Sequence, residues 1–277
     1  MSSSRPDLGA VQLLACPLCR ASLTQDSATL VCAQNHRFDV ARDGYVNLFP
    51  AHHRRSRNPG DEDRMVAARR RFLDAGHYSP LYAGFAATLT AARGNGSGAG
   101  VDIGCGDGYF TKALTSVGPQ IYGIDVSKPA IRAAAKRHPS ITFVVASSKR
   151  LPLVDAAFDV ATAILAPIDA DVLRVLANGG VLVRVTPAPD HLRALRELAY
   201  TEARPHRRAT RQLPGLAHAG ERLVSFDFDT DPTTRSDLIA MTPLLYRTSD
   251  DQRRRALAPE HLTIEAGFWI DVFTKRH

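Results

Sequence analysis

Between residues 101 and 187, short apolar runs alternate with stretches of helical periodicity, and this alternation constrains the fold more than any other feature. The first apolar run is VDIG, residues 101–104, and the last is GVLVRVTP, residues 180–187. Such an alternation is typical of β–α units, which form a mostly parallel sheet with helices on both faces. The final LTIEAGFWIDVFTKRH has β-branched and aromatic residues on both sides of Gly267, which predicts an antiparallel edge hairpin. The predicted fold class is α/β.

A glycine-rich turn, VDIGCGDGYF at residues 101–110, joins the first strand to the first helix of this pattern. In a doubly wound sheet, ligands bind at the edge where the carboxyl ends of the strands meet. The glycines stand at positions 104, 106 and 108, whereas the dinucleotide motif G-x-G-x-x-G would require glycine in place of Tyr109. Nicotinamide binding is therefore disfavoured. The D-x-G-x-G-x-G pattern instead resembles the first motif of the class I S-adenosylmethionine (SAM) methyltransferases, in which the backbone closely approaches the cofactor.

Two further strand ends have the spacing that a SAM site requires. The second strand ends at Asp125, nineteen residues after Gly106, where a carboxylate can accept hydrogen bonds from both ribose hydroxyls. The third ends in ASS, residues 146–148, followed by RLPL, which places small polar groups and Leu151 near the adenine ring. Asp102 is expected beneath the glycine turn. Together these features predict a Rossmann-like SAM-dependent methyltransferase sheet, but no residue pattern identifies a general base, so the catalytic residue stays unassigned.

Three of the four cysteines lie with a histidine in CPLCRASLTQDSATLVCAQNHRFD, residues 16–39. Three cysteines cannot pair among themselves, whereas the order C-x2-C-x12-C-x3-H offers the four ligands that tetrahedral zinc prefers. The alternative is a set of ordinary reduced thiols on a compact turn. We predict a structural zinc site in a small knuckle or ribbon, with the ligands Cys16, Cys19, Cys32 and His36. The remaining Cys105 is interpreted as a small residue of the glycine turn.

Charge and hydropathy limit the partners. The N-terminus lacks the charged start and sustained apolar core of a secretory signal, so we expect reduced thiols and a cytoplasmic location. No run reaches roughly 18 apolar residues, so no membrane partner is expected. The net charge of +7 favours a polyanionic partner. Seven arginines against three acids lie between His52 and Arg71, although such a cluster can also be a solvated helix face.

Changes in composition divide the chain into three segments. Residues 1–50 are predicted to form the zinc-binding domain, and residues 51–92 a basic helical connector. In the connector, DRMVAARRRFLDAG has helical spacing and a glycine stop at Gly76. Residues 93–277 form the predicted SAM-dependent methyltransferase domain.

Taken together, both halves of the chain resemble the 23S ribosomal RNA guanine-N1 methyltransferases, a family that includes macrolide-resistance enzymes. The resemblance runs from Cys16 to about residue 200 and rests on CPLC, CAQNHRFD, ARDGYVNL, RSRNPGD, ARRRFLDAGHY, VDIGCGDGY, DVSKPAI, ASSKRLP and TPAPDHL. It implies zinc on the four N-terminal ligands and makes residues 1–50 an RNA-recognition domain. It also implies SAM contacts from Tyr78, Gly106, Asp107 and His191. With the fold argument added, the predicted cofactor-binding residues are Tyr78, Asp102, Gly104, Gly106, Asp107, Asp125 and His191.

The resemblance further implies a substrate and an assembly. The implied substrate is N1 of a guanine in the hairpin 35 loop region of 23S rRNA, and the implied assembly is a homodimer enclosing an RNA cleft. Leu165 departs from the family, which has an aromatic residue before Ala-Pro.

The arginines expected to contact RNA are Arg37, Arg42, Arg54, Arg55 and Arg57. Two alternatives stay open: a methyltransferase acting on a small metabolite, and an inactive zinc-stabilised RNA-binding protein.

Overall fold

The computed structural model describes residues 8, 11–50, 60–92, 98–200, 202–242 and 248–276. Its N-terminal part contains a small antiparallel sheet with the order β1–β2–β3. The strands are β1 (Leu23–Asp26), β2 (Thr29–Cys32) and β3 (Arg37–Asp39). Central strand β2 therefore ends on a predicted zinc ligand. No described helix is long and apolar enough to cross a membrane.

A second sheet of eight strands forms the body of the molecule, in the order β10–β11–β9–β8–β5–β6–β7–β4. Neighbouring strands from β4 to β9 pair in parallel, and β11 and β10 add two antiparallel strands at one side. The predicted mostly parallel sheet is confirmed. The strands are β4 (Tyr45–Asn47), β5 (Ala99–Ile103), β6 (Gln120–Asp125), β7 (Thr142–Val145), β8 (Phe158–Ile164), β9 (Leu176–Pro187), β10 (Leu216–Thr230) and β11 (Leu262–Lys275).

Helices connect and cover these strands. The described α-helices are α1 (Asp63–Asp74), α2 (Ser79–Ala92), α3 (Lys128–Arg137), α4 (Asp171–Val175), α5 (Arg193–Ala199), α6 (Pro232–Ala240) and α7 (Asp250–Leu257). A 3₁₀ helix at Thr111–Ser116 follows the glycine turn. Helix α3 begins directly after β6, where the Ser127 side chain accepts a hydrogen bond from the Ala130 amide. This cap starts the helix two residues after Asp125 and so positions the end of the strand.

The predicted antiparallel pairing at the edge of the sheet is confirmed, since β11 pairs with the edge strand β10, but the predicted turn at Gly267 is wrong. Strand β11 continues through Gly267, which pairs with Ser225 of β10. The Gly267 carbonyl accepts a hydrogen bond from the Ala188 amide at 2.9 Å, and an added Cβ would lie only 3.0 Å from the Ala188 Cβ. Glycine is thus present because another chain segment approaches closely, which is a common reason for glycine inside a strand.

The N-terminal segment is joined to the large sheet by backbone hydrogen bonds. The Ala15 amide donates to the Pro152 carbonyl at 2.9 Å, and the Val154 amide donates to the Leu13 carbonyl at 3.0 Å. Strand β4, from the same segment, pairs in parallel with β7. The zinc-ligand region therefore lies against residues 151–154, just after the end of the third strand of the predicted SAM site.

Arg235 anchors helix α6, which begins directly after β10. Its side chain is fully buried, and its guanidinium donates to the carbonyls of Thr230 at 2.8 Å, Ala256 at 3.0 Å and Leu257 at 3.3 Å. These bonds tie α6 to the end of β10 and to the C-terminal end of α7, whose last carbonyls have no helical partner.

We expect Arg235→Met to lower the free energy of unfolding by about 3 kcal/mol, because several buried carbonyls lose their hydrogen-bond donor. Urea denaturation followed by circular dichroism measures the change. The control is Arg222→Met on the exposed part of β10, which should cost less than about 0.5 kcal/mol. Equal midpoints for the two variants would contradict the anchoring role.

Candidate cofactor site and zinc centre

A cavity of about 470 Å³ lies at the carboxyl ends of β5, β6 and β8. Its volume is within the usual range for small-molecule sites. The structure brings all seven predicted cofactor-binding residues to its wall: Tyr78, Asp102, Gly104, Gly106, Asp107, Asp125 and His191.

The glycine turn forms the floor of this cavity through backbone contacts. The amide of Gly104 donates to the Ile124 carbonyl at 2.7 Å, which fixes the end of β5 against the end of β6. Gly104 has a φ of +74°, and an added Cβ would lie 2.3 Å from the Ala166 Cβ. Both the backbone conformation and the close approach therefore require glycine at this position.

Asp125 is held at the end of β6 by two backbone amides. Its Oδ2 accepts from the Gly106 amide at 3.0 Å, and its Oδ1 accepts from the Ser127 amide at 2.8 Å. Burial raises the pKa of Asp125, and these two hydrogen bonds act in the opposite direction. Each carboxylate oxygen retains capacity for a further hydrogen bond, as the predicted contact with two ribose hydroxyls requires.

Asp102 supports the turn from below. Its carboxylate accepts hydrogen bonds from the hydroxyls of Thr111 at 2.6 Å and Thr162 at 2.7 Å. Burial raises the pKa of Asp102 to about 6, although the two threonine hydroxyls lower it. Asp107 lies on the cavity side, where it accepts from Arg137 Nη1 at 3.2 Å.

His191 and Tyr78 form an aromatic wall with Phe268. The His191 ring centroid is 4.4 Å from that of Phe268, and the Tyr78 ring meets Phe268 edge-on at 5.1 Å. Burial lowers the pKa of His191 to about 3, so its imidazole is neutral at pH 7. Within the described residues, nothing hydrogen-bonds its buried Nδ1 atom.

The cavity wall differs from the predicted one at Leu151 and includes further residues. Leu151, expected beside the adenine ring, is fully buried and does not line the cavity, so that expectation was wrong. Ala146 and Ser148 do line it. Residues just before and within α1, together with one at the end of α6, also line the cavity, and no sequence motif had indicated them as site residues: Asp61, Met65, Arg69, Leu73 and Met241.

The predicted zinc ligands form one cluster, in which all four ligand atoms lie within 4.8 Å of one another. The His36 Nδ1 atom is 3.5 Å from Cys16 Sγ and 3.4 Å from Cys32 Sγ. The Cys19 and Cys32 sulfurs are 3.6 Å apart, and no disulfide joins them. A tetrahedral zinc ion with Zn–S bonds of about 2.3 Å separates its sulfur ligands by roughly 3.8 Å, so this spacing fits zinc.

Other residues singled out in the sequence have different surroundings. Cys105 is buried, and burial raises its thiol pKa well above the ordinary value, so it is unsuited to act as a nucleophile. Arg37 and Arg42 are exposed, and Arg37 Nε donates to Asn35 Oδ1 at 3.2 Å. Arg54, Arg55 and Arg57 lie outside the described residues. The later connector arginines form ion pairs with neighbouring acids: Arg64 with Glu62, Arg69 with Asp61, Arg70 with Asp74, and Arg71 with Asp237.

Comparisons with known proteins agree with this geometry. Residues 101–184 match the family model described as a methyltransferase domain, and residues 14–57 match the zinc-ribbon model described as the N-terminal part of RlmA. The chain is thus a class I SAM-dependent methyltransferase with an N-terminal zinc ribbon, and SAM and zinc are its cofactors.

Full-length relatives make the family more specific. The 23S rRNA (guanine(748)-N(1))-methyltransferase of Streptomyces fradiae is 37% identical, and the match covers 90% of this chain and 91% of the relative. Relatives from Micromonospora griseorubida (39% identical, 68% and 69% covered) and Bacillus subtilis (31% identical, 86% and 88% covered) carry provisional names for a 23S rRNA guanine-N1-methyltransferase. This chain belongs to the 23S rRNA (guanine-N1)-methyltransferase family.

We expect Cys32→Ser to remove zinc and to accelerate amide hydrogen exchange in the ribbon, because folding of such a small element is coupled to metal binding. Exchange should also rise at Val154, whose amide bonds to Leu13, while amides of β5 stay protected. Metal analysis and exchange mass spectrometry measure both effects. Cys105→Ser, which changes the cysteine outside the cluster, should retain zinc. Full zinc occupancy in the Cys32 variant would contradict the ligand set.

We expect Asp125→Ala to weaken SAM binding by roughly 1 to 3 kcal/mol, because the variant loses hydrogen bonds to a charged group. Calorimetric titration with SAM measures this loss. A matched control is Asp159→Ala, since Asp159 Oδ2 also accepts two backbone bonds, from Gly98 and Ala99, at the opposite end of β5. Equal losses in the two variants would mean that the effect is a general weakening of the sheet.

Proposed function

We propose that this enzyme transfers the methyl group of SAM to N1 of a guanine in the hairpin 35 loop region of 23S rRNA. One observation carries the proposal: the chain aligns over 90% of its length with an enzyme named for this reaction at guanine 748. An alignment over 90% of the chain leaves too few residues unaligned to omit either the zinc ribbon or the SAM cavity entirely, so it supports a shared substrate as well as shared methyltransferase chemistry.

The chemistry requires alignment and removal of a proton. SAM supplies a methyl group that is already activated by its sulfonium, so the protein mainly orients the acceptor in line and excludes water. Guanine N1 carries a hydrogen that must leave, directly or through water. Asp102 already accepts from two threonines, and the low pKa of His191 makes its imidazole a weak base. Neither is therefore assigned as the proton acceptor.

Leu165 offers an apolar surface for the target base. It lines the cavity, is 48% exposed, and adopts the left-handed conformation with a φ of +54°. Its amide donates to the Val185 carbonyl at 3.0 Å, which holds this uncommon conformation. A guanine in or beside a loop presents its pairing edge without opening a long duplex, and its face can pack against such a side chain.

The ribbon and the early connector are the proposed RNA contacts. Arginines neutralise phosphates and thereby release the counterions of the RNA. An arginine that is already paired with an acid must first give up that pair. The ion pairs of Arg64, Arg70 and Arg71 make the helical part of the connector less suited to this role. We assign RNA contact to Arg37 and Arg42, which are exposed, and to Arg54, Arg55 and Arg57, which lie outside the described residues, on the charge of their sequence segment. A homodimer enclosing the RNA and a cytoplasmic site of action, where ribosomal RNA is found, complete the proposal.

Reverse-transcription mapping tests the reaction. Large-subunit RNA incubated with the zinc-loaded enzyme and SAM should acquire one new stop beside a guanine, because N1 methylation blocks the pairing edge. The Asp125→Ala variant should give a weaker stop at limiting SAM. If the protein binds SAM but produces no stop on RNA or ribosomal particles, a metabolite substrate replaces RNA. If it does not bind SAM, the inactive RNA-binding alternative replaces the enzyme.

We expect the triple variant Arg54→Ala, Arg55→Ala, Arg57→Ala to bind the RNA more weakly and with a flatter dependence on salt, because phosphate contacts release counterions. Binding titrations at several salt concentrations measure the slope, and SAM affinity should not change. As a control, alanine at Arg253, Arg254 and Arg255 removes the same charge from α7. Equal slopes for the two triple variants would show that only net charge matters.

A further inference from the structure

The charges around the cavity are uneven. Four carboxylates lie on its wall, from Asp61, Asp102, Asp107 and Asp125. Among the described lining residues, Arg69 is the only one with a permanent positive charge. His191 does not add a second cation, because burial lowers its pKa to about 3.

Arg69 lies over the glycine turn. It belongs to α1, and its side chain is 23% exposed. Nη1 is paired with Asp61, while Nη2 donates to the Met241 carbonyl at 3.0 Å. Nη1 is also 3.5 Å from the position that a Cβ of Gly106 would occupy. The guanidinium is therefore held from two sides, with one edge toward the part of the turn that has no side chain.

The charges of SAM complement the charges of the cavity wall. SAM carries two positive groups, the sulfonium and the ammonium, and one negative group, the carboxylate of its methionine part. A cavity with four carboxylates suits a ligand of net positive charge, but a ligand carboxylate needs a cation in such surroundings. An arginine fork matches a carboxylate better than any other side chain does.

Gly106 lies between the two side chains that are expected to contact SAM, Asp125 and Arg69. Its amide points to Asp125, which the ribose hydroxyls are expected to contact, and its α-carbon faces Arg69. The two ends of SAM thus fit on opposite sides of one glycine. We propose that Arg69 binds the carboxylate of SAM and thereby selects a cofactor with an intact amino-acid part. This inference rests on the cofactor half of the proposed function and does not depend on the RNA half.

Decarboxylated SAM provides the test, because it keeps the sulfonium, the ammonium and the adenosine and lacks only the carboxylate. Calorimetric titrations use the zinc-loaded full chain. Wild type should bind SAM roughly 10- to 100-fold more tightly than the decarboxylated analogue. Arg69→Gln should lose most of this preference by weakening SAM alone, and Arg69→Lys should keep part of it. Arg70→Gln, one residue further along α1 and paired with Asp74, should leave both affinities unchanged.

Arg69→Gln also leaves Asp61 without its partner. A double variant that combines Arg69→Gln with Asp61→Asn is therefore measured beside it, because it removes the unmatched acid. The proposal is supported if both variants lose the preference for SAM while binding of the analogue stays within about threefold. It is overturned if both ligands weaken equally, because Arg69 would then only hold the cavity wall. It is also overturned if SAM affinity is unchanged while the salt dependence of RNA binding flattens, since Arg69 would then contact a phosphate.

Discussion

The close approach of the glycine turn to the neighbouring strand ends is the constraint on which the site depends. The amides of Gly104 and Cys105 both donate to the Ile124 carbonyl, and the next amide, from Gly106, donates to Asp125. Three successive backbone groups of the turn are therefore fixed to one strand. A larger residue at position 104 would collide with Ala166, in the loop that follows β8. The distance between Asp125 and the loop of Leu165 thus depends on the absence of a side chain at Gly104.

The zinc ribbon is stabilised in a different way, by its metal ligands and by packing on the large sheet. Three strands of three or four residues bury little apolar surface, and so small an element needs a metal to fold. Here the metal ligands also belong to a larger core. Cys16 and Cys32 pack in the same apolar cluster as Leu14, Leu30 and the buried residues of β5. Backbone bonds to residues 152 and 154 complete the attachment, so the ribbon is held against the segment that follows the third strand end.

Residues that follow directly after strands could be predicted from the sequence. Spacing alone placed Asp102, Gly106 and Asp125 on one wall, because the carboxyl ends of parallel strands meet at one edge. Tyr78 and His191 required the family resemblance, since neither has a strand pattern beside it. Zinc ligands were predictable because metal geometry restricts their spacing.

Contacts made by segments far apart in the chain were not predictable. Arg69 and Met241 meet over the cavity although 172 positions separate them, and only the packing of α1 on α6 brings them together. Leu151 was misplaced because it packs in the same apolar cluster as Leu14 and Cys16, and no motif encodes this docking of the N-terminal segment. Gly267 was mistaken for a turn because glycine is favoured both in turns and at strand positions that another segment approaches closely, and the sequence does not distinguish the two.

Strand β10 has a consequence for solubility. Within the described part of the chain it is the last strand of the sheet, and at fifteen residues it is long for an edge. Its side chains alternate: Phe226 and Phe228 pack against the core, whereas Asp227 and Asp229 are exposed. Pairing this edge with a second copy would bring such carboxylates together out of water, and charged edges discourage that contact. The acids of β10 therefore disfavour pairing of this edge with the sheet of a second copy.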